Sequence, residues 1–554
     1  MKKYIILLIT VVLTSVISCN VEDNLVIPQQ GVIAVESTYE NANDQTVLSF
    51  IAGIYSRVYG SPLDGFASYN DVTGVVSMKH YLERMSGELA NGWLYNESAE
   101  SAKPFRVFWA YSYSIMYSCN LVIEELPLNK VASREVVDRV IAEARVVRAI
   151  QMMQLVQLYG NPPLADHILK GTEGNTPATE SWAFIEKELN EAALGLPSKN
   201  GPNGQASIGG RLTKEAAYAY LGKAYLWQKK YTEAASTLYN KVIATNLYSL
   251  VDNYNKLNST TTDFCPENMW EFEVTENPDY NTSQSATLAA AFINWDVAKM
   301  NMPDGYYKNQ GYGEYSGISE SFGSFMDAHD VASGTKSNRY KGTLATYEDM
   351  FEPTRFAYTG TGGKKGMKDV QTRLEGYFRV KGIPQEDNVF LSGGFWYSDL
   401  IVKNWVFMRY SEILLNYAEA VASGGTPGAM TGLQALNLVR QRAGLANAPS
   451  LDMNNAEYGV KAERRAELFY ENCRFIDLVR WGDAATVLAN VGKKMPKFYG
   501  YKDGSTSGPQ SKANWKIEYD PTIGVGFKAN KNELFPIPLI EMNNNSNLVQ
   551  NPGW

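Results

Sequence analysis

The segment 214–243 carries the spacing that most constrains the fold of this chain. It reads KEAAYAYLGKAYLWQKKYTEAASTLYNKVI, and its apolar and small residues recur at helical intervals. Gly222 and Ala234 are small where two antiparallel helices must approach closely, and aromatic and leucine side chains are spaced to fill the groove between them. The segment therefore predicts two helices that pack as an antiparallel pair.

The offsets within this segment follow the tetratricopeptide pattern, in which each repeat is one helical pair. Offsets 0, 3, 4, 7, 16 and 20 fall at Tyr218, Leu221, Gly222, Tyr225, Ala234 and Leu238. A looser copy keeps offsets 0, 3, 4 and 7 at Tyr410, Ile413, Leu414 and Tyr417, with a second helix over about 432–442. One pair cannot bury its own apolar face, so we expect several stacked pairs. Periodic helical segments at 139–159, which ends before Gly160, and at 182–196 would supply further members.

Between about 250 and 400 the helical periodicity mostly fades, and Gly, Asn, Ser, Thr and Tyr dominate. A compact domain rarely carries this much irregular chain without a function. We interpret the region as long loops and short strands that elaborate one domain, 41–554. Its helical scaffold spans about 41–250 and 400–490, and an extended tail covers 491–554. The predicted fold class is therefore mainly α, a tetratricopeptide-type helical-pair scaffold with a long irregular elaboration of loops and short strands.

Residues 1–18 have the form of a bacterial secretion signal. Two lysines precede the apolar stretch Tyr4–Ile17, whose 14 residues are fewer than the roughly 20 needed to cross a bilayer. The sequence VISC at 16–19 resembles the lipobox of bacterial lipoproteins, where cleavage before the cysteine leaves an acylated N-terminal residue. The resemblance implies a lipid anchor on Cys19 and a tether over 19–40, which needs no membrane span. A plain secretion signal that happens to contain a cysteine is the alternative.

Composition excludes several classes of function. A formal net charge of −8 argues against a nucleic-acid partner. The three cysteines besides Cys19 are widely spaced and odd in number, so no disulfide framework is indicated. None of the three histidines has a second ligand at metal spacing, and we expect neither a metal nor a cofactor. The chain shows no GxSxG and no HExxH motif, which leaves a hydrolase with paired carboxylates as a less favoured alternative.

Four stretches resemble signature segments of the SusD/RagB family of outer-membrane nutrient-binding lipoproteins. They are AEARVVRAIQMMQLVQLYGNPPL at 142–164, MRYSEILLNYAEA at 408–420, ERRAELFYENCRFIDLVRWGDA at 463–484 and FPIPLIEMNNNSNLVQNPGW at 535–554. Together with the lipobox they run from one end of the chain to the other in the order expected for that family. Any one match is only suggestive, whereas the set is highly specific.

The resemblance implies a non-enzymatic lipoprotein of the outer membrane, exposed at the cell exterior, that works with a SusC-like TonB-dependent transporter. In that family the helical side docks onto the transporter barrel, and the irregular face captures an oligosaccharide or, in some members, a peptide. A pure tetratricopeptide adaptor is a further alternative, against which the long aromatic insertion speaks. The C-terminal motif itself is predicted to be structural, because Glu463, Arg464, Glu467 and Glu471 sit three or four apart where opposite charges can pair along a helix.

A sugar-binding site needs flat apolar faces for C–H groups, with amides and carboxylates nearby for hydroxyls. Tyrosine is abundant enough to supply them, at 35 residues against 21 phenylalanines. The predicted ligand-binding residues are Trp93, Tyr95 and Asn96 in GELANGWLYNES, with Glu88 and Asn91 nearby, then Trp295, Tyr312 and Tyr315, and finally Trp396 beside Phe395. A buried loop anchor is the alternative for Trp93. By contrast, Trp109, Tyr113 and Tyr117 fall four apart on a helix and are assigned to the core.

Overall fold

The computed structural model describes residues 35–59, 78–89, 95–96, 98, 103–199, 210–274, 317–346, 349, 376–382, 389–390, 400–471, 473–503, 514–521 and 524–554. Across these ranges α-helices dominate, and the strands form five two-stranded antiparallel sheets. The expectation of a mainly α fold is confirmed. In the same ranges, no helix has both the length and the apolar character that crossing a bilayer requires.

Among the described residues that precede the irregular region, eight α-helices build the scaffold. They are α1 (Val35–Glu40), α2 (Asp44–Tyr59), α3 (Met78–Met85), α4 (Lys103–Glu125), α5 (Arg134–Tyr159), α6 (Ala178–Ala192), α7 (Lys214–Trp227) and α8 (Tyr231–Lys241). From α4 to α8 each helix packs against the next one in the chain, so the stacked pairs that the repeat pattern predicts are present.

The pair α7–α8 has the close approach that its small residues predict. A Cβ atom added to Gly222 would lie 2.3 Å from Cδ2 of Leu238, a distance that no real side chain tolerates. The second pair, α11 (Tyr410–Ala422) and α12 (Gly432–Ala443), begins its second helix with a capping box between Thr431 and Gln434. Helix α11 also packs on α7 and α8, so the two pairs form one continuous stack although about 170 residues separate them in sequence.

Helix α5 is the central element of this stack. It is buried on nearly every side after its second turn, and it packs against α2, α4 and α6. It ends at Tyr159 because Gly160 takes a left-handed φ of 73°, where a Cβ atom would also collide with Leu534. The chain end covers this terminus, since the Phe535 N–H donates to the Leu158 carbonyl at 2.6 Å.

Short strands and helices lie in the irregular region, at its border with the scaffold and in the tail. The strands are β1 (Asn268–Phe272), β2 (Val331–Ala332), β3 (Thr335–Lys336), β4 (Leu344–Thr346), β5 (Tyr377–Arg379), β6 (Val389–Phe390), β7 (Leu400–Ile401), β8 (Trp405–Arg409), β9 (Lys494–Tyr501) and β10 (Trp515–Pro521). The pairs are β1–β8, β2–β3, β4–β5, β6–β7 and β9–β10. Helices α9 (Glu320–His329) and α10 (Asn338–Thr343) lie among them.

The last helices are α13 (Val460–Glu467), α14 (Arg474–Trp481), α15 (Ala484–Val487) and α16 (Leu539–Asn544). The tail over 491–554 is therefore less uniformly extended than the prolines in it indicate, because it contains the β9–β10 hairpin and the helix α16. The extended part, at Phe535–Ile537, is buried against the helical core as expected.

Candidate ligand-binding face

Two of the predicted ligand stretches are attached to one small structural unit. We call this unit the base; it consists of Leu89, Ile318 and Tyr377 with the residues packed beneath them. Leu89 and Ile318 form an antiparallel bridge, and Ile318 forms a second bridge with Tyr377. Leu89 precedes Trp93 by four residues, and Ile318 follows Tyr315 by three. The structure thus brings the segment that leads into one aromatic stretch beside the segment that leaves the other.

Ser319 reinforces this base with two further hydrogen bonds. Its N–H donates to the Glu88 carbonyl at 3.0 Å, and its hydroxyl donates to the Gly87 carbonyl at 2.7 Å. The same hydroxyl accepts from the Phe322 N–H and so caps α9. One serine therefore fixes both the start of a helix and the segment that enters the Trp93 stretch.

A small apolar core lies under this base. It contains Leu89, Ile318, Phe322, Met326, Tyr340, Leu344, Tyr377, Ala466 and Phe469. The rings of Phe322 and Phe469 stack with their centroids 4.2 Å apart. Gly323 lets Tyr377 approach the helix, since a Cβ atom there would lie 2.4 Å from the ring. This packing makes the base rigid without help from a ligand.

Glu88, predicted as a polar group near the ligand, has a different position. Its side chain is 2% exposed, and Arg465 holds both of its oxygens at 3.0–3.2 Å. Arg474 adds a contact from Nε to Oε1 at 3.3 Å. A carboxylate so enclosed has no free oxygen for a sugar hydroxyl, so Glu88 anchors the base instead of contacting ligand.

Tyr95 also lies in the core, which corrects the expectation that its ring faces a ligand. It is 3% exposed, its hydroxyl donates to the Met85 carbonyl, and its ring meets Phe527 edge-on with centroids 5.5 Å apart. Burial raises the pKa of its hydroxyl well above the ordinary value. The physical reason is that the ring has an apolar partner in Phe527 and its hydroxyl has an acceptor in the Met85 carbonyl, so both parts of the side chain are satisfied in the core. The neighbouring Asn96 is exposed.

The other predicted contacts lie outside the described residues. These are the lipid-anchor residue Cys19 and the ligand-binding residues Trp93, Trp295, Tyr312, Tyr315 and Trp396. Trp396 falls in the connection between β6 and β7, whose pairing joins Val389 to Ile401. Ligand contact by these residues stays a prediction.

A buried charge network supports the base from α13. Glu467 meets three arginines, with Arg409 Nη1 at 3.0 Å, Arg339 Nη1 at 3.3 Å and Arg442 in closer contact. Burial alone would raise the pKa of Glu467, but these cations outweigh it and hold the pKa below its ordinary value. Glu463 is held in the same way by Arg339 at 2.5 Å and by Arg440 at 2.8 Å.

The partners of these glutamates differ from those predicted. Pairing along the helix was expected, whereas the arginines come from α10, β8 and α12. Arg409 and Arg442 also share Glu267, at 2.5 and 2.9 Å, just before β1. The structural role predicted for the C-terminal motif is therefore confirmed, while its geometry is long-range. Within the described ranges, no group of three His, Cys, Asp or Glu side chains is arranged to hold a metal ion.

An aromatic cleft of about 380 Å³ opens between α4, the segment 163–173 and the tail. It is lined by Trp109, Ala110, Tyr113, Tyr117, Asn120, Pro163, Ala165, Leu169, Gly171, Glu173, Glu541, Asn544, Asn545 and Leu548. Trp109 is buried as predicted, but Tyr113 is only half-buried and Tyr117 is 50% exposed. The spacing of four correctly places the three rings on one face of α4, but the tail covers that face incompletely.

Comparisons with known proteins agree with this architecture. Residues 251–554 match the family model described as the SusD family, and residues 36–226 match one described as starch-binding and associating with the outer membrane. A SusD-like protein, P2, of Formosa agariphila is 23% identical, and the alignment covers 100% of both chains. The starch-binding protein SusD of Bacteroides thetaiotaomicron is 24% identical over 74% of this chain and 72% of its own length.

Solved structures share the fold at low sequence identity. A laminarin-binding SusD-like protein superposes with a TM-score of 0.67 at 21% identity, covering 93% of this chain and 100% of that one. Surface glycan-binding protein A of Bacteroides thetaiotaomicron, solved with laminarihexaose, gives a TM-score of 0.63 at 18% identity, with coverages of 92% and 100%.

Proposed function

This chain belongs to the SusD family, and on that premise we propose that it captures an oligosaccharide at the cell surface and delivers it to a SusC-like TonB-dependent transporter. An acyl chain on Cys19 would hold the protein on the outer membrane, facing the exterior. The description of the N-terminal family model, which names starch binding and association with the outer membrane, supports this location.

The ligand face is proposed to lie on the irregular region 250–400 together with the Trp93 stretch. The observation that carries this proposal is the bridge between Leu89 and Ile318, because it gives two aromatic stretches a common, rigid base. Aromatic faces stack on the C–H surface of sugars, and a preformed base reduces the ordering cost of binding. The printed names of the relatives, which bind starch and laminarin, support a glycan as the ligand class.

We infer that the protein acts by binding and release and carries no hydrolytic chemistry. The relatives named above are described as binding proteins, which supports this inference. Three carboxylates at and below the base also support it, because Glu88, Glu463 and Glu467 are each paired with arginines. A general acid or base needs a proton that can move to substrate, and such fixed ion pairs do not provide one.

Calorimetry with neutral glycans tests the ligand class and the site. Starch-type and laminarin-type oligosaccharides, other neutral hexasaccharides and a set of peptides are titrated into the acyl-free mature protein. We expect binding of one glycan class, which the double substitution Trp93→Ala and Tyr312→Ala weakens by about tenfold, because each stacked ring contributes about 0.5–1.5 kcal/mol. The melting temperature should not fall. Leu194→Ala, at an exposed position on the scaffold, is the control variant.

Three outcomes would contradict parts of the proposal. Binding of peptides without any glycan would change the ligand class. Unchanged affinity in the double variant would reject the two residues as contacts. Release of shorter sugars during a long incubation would make the protein a hydrolase.

The transporter and the anchor are tested separately in membranes of the native host. We expect a tagged form of the full chain to copurify with a TonB-dependent receptor after mild detergent extraction. Cys19→Ala should lose the acyl chain, seen by mass spectrometry of the N-terminal peptide. A wild-type N-terminal peptide without acylation would overturn the proposed anchor.

A further inference from the structure

We propose that the aromatic cleft between α4 and the tail is a second saccharide-binding site, which takes one or two pyranose residues of a neutral glycan. The inference rests on the proposed function in assuming that the protein handles glycans, but it uses a different surface. The volume of about 380 Å³ suits a small ligand, since ligand pockets typically measure about 300–1,000 Å³.

The aromatic wall supplies the apolar face that a sugar ring needs. Tyr117 exposes half of its surface, and the rings of Trp109 and Tyr113 continue the wall with centroids 5.0 Å apart. The Tyr113 hydroxyl donates to the Pro163 carbonyl at 2.8 Å, which fixes the orientation of its ring. A wall held in this way loses little side-chain freedom when a ligand stacks on it.

The opposite side of the cleft supplies hydrogen-bonding groups. Glu173, Glu541, Asn544 and Asn545 line it. The Glu173 carboxylate already accepts from the N–H groups of residues 170–172, and the Asn545 side-chain oxygen accepts from the Asn547 N–H. Among these four lining residues, Glu541 and Asn544 therefore offer the side-chain oxygens. Sugar hydroxyls can donate to these oxygens. Two carboxylates at one small site repel an anionic ligand, which favours a neutral glycan over a uronic acid or a sulfated sugar.

The walls are joined to each other, so the cleft exists before a ligand arrives. The Asn545 amide donates to the Glu173 carbonyl at 2.8 Å. Asn175 pairs twice with Val549, accepting from its N–H at 2.7 Å and donating to its carbonyl at 3.1 Å. These bonds tie the segment 163–175 to the tail. Gly171 leaves the rim open, because a Cβ atom there would meet nothing within 4 Å.

Calorimetry in a Trp93→Ala background isolates this site from the proposed primary one. The probes are laminarihexaose, maltohexaose, mannohexaose and galactohexaose at millimolar concentration. We expect residual binding of at least one probe, weakened about 2- to 10-fold by adding Tyr117→Ala and abolished by adding Ala110→Arg, which fills the cleft from an exposed helical position. Tyr117→Phe, which keeps the ring, should bind nearly as well as the parent.

The matched control is Ala52→Arg, at another exposed helical alanine outside the cleft lining. It should leave the residual binding unchanged. If Ala110→Arg and Tyr117→Ala bind the probes as the Trp93→Ala parent does, the second site is refuted while the proposed function stands. If the protein without Trp93→Ala binds glycans but the parent binds none, the second site is likewise refuted. If the protein binds no glycan in any form, the proposed function itself fails.

Deletion of the N-terminal tether is a further test, because α1 packs on the same helix α4. A protein that begins at Val35 provides this test. If that truncated protein binds the probes while the mature chain does not, the tether fills the cleft and the second site is overturned. Equal binding by both forms supports the site.

Discussion

The helical pair α7–α8 and the short helix α13 both contribute side chains to the protein interior, yet they are held in opposite ways. In α7–α8 the contact is one of shape, where Gly222 admits the side chain of Leu238 sixteen residues later. In α13 the contact is one of charge, and Glu463 meets Arg339, which lies 124 positions away. The first region shows how residues close in sequence determine a helical pair. The second shows how contacts between residues distant in sequence hold a short helix whose position its own sequence does not determine.

The difference has an energetic consequence. A substitution at an apolar contact lowers the free energy of unfolding moderately, because a neighbouring side chain can shift by a few tenths of an ångström. A substitution in a buried ion network lowers the free energy of unfolding by much more, because removal of one partner leaves an uncompensated charge in the core. We therefore expect the largest single-residue effects in the described part of the chain at the arginines around α13.

Arg339→Met is the substitution that tests this expectation most directly. Arg339 is buried and contacts Asp330 at 2.9 Å as well as Glu463 at 2.5 Å. Its loss should lower the free energy of unfolding by about 3–5 kcal/mol, measured by urea denaturation. Arg134→Met is the control, since Arg134 pairs with Asp138 at 2.7 Å on an exposed helix surface and should cost less than about 1 kcal/mol. Equal costs for both would remove the distinction between the two regions.

Glu471 provides a test through pH. Burial opposes its ionisation, but Arg409 and Lys381 lower its pKa to about 2. In the unfolded chain the carboxyl of Glu471 has a pKa of about 4.3. Its contribution to the free energy of unfolding is therefore complete above that pH and is lost as the pH falls towards 2. We expect stability to decrease over this window, and Glu471→Gln to remove about 2–3 kcal/mol of that decrease. Urea titrations between pH 5 and pH 2 measure it, with the exposed Glu457→Gln as control; identical slopes would refute the assignment.

Gly222→Ala tests the shape contact in the repeat. The added Cβ atom would lie 2.3 Å from Leu238 Cδ2 and 2.5 Å from its Cγ, so overpacking should cost about 1–3 kcal/mol. Gly53→Ala in α2 is the matched control, because a Cβ atom there meets nothing within 4 Å and alanine should stabilise the helix by about 0.5–1 kcal/mol. Opposite signs of the two changes in melting temperature are the expected result. A neutral Gly222→Ala would show that the pair tolerates a wider separation.

The parts of the fold that follow from the sequence are those with short-range causes. Helix α5 was predicted to end before Gly160, and it does so because that glycine takes a left-handed φ. Each of the two repeat pairs follows from the spacing of small and large residues within its own segment. The arginine partners of α13 do not, since Arg442 and Glu267 lie 175 positions apart and carry no local signal of their pairing. Charges three or four apart on one helix predict pairing along that helix, and here the tertiary fold provided better partners.

The candidate sites show the same limit. Tyr95 was predicted to face ligand because it is aromatic and has polar neighbours, but its ring lies in the core against Phe527. Tyr117 was predicted to be buried from its helical spacing, but the tail residues that cover α4 incompletely come more than 400 positions later. Periodicity identifies which side chains share a face. It does not show how much of that face a distant segment leaves open.

The smallest expected effect concerns the start of α12, where the local pattern is most explicit. The Thr431 hydroxyl accepts from the Gln434 N–H at 3.1 Å, and the Gln434 side chain accepts from the Thr431 N–H at 2.7 Å. Thr431→Ala should cost about 1 kcal/mol, and Thr431→Ser, which keeps the acceptor, only a fraction of that, both measured by urea denaturation. The cap satisfies one exposed helix end, so water can replace it, whereas no water replaces Arg339. If Thr431→Ala lowered the free energy of unfolding as much as Arg339→Met does, contacts close in sequence and contacts distant in sequence would not differ as the comparison of α7–α8 with α13 indicates.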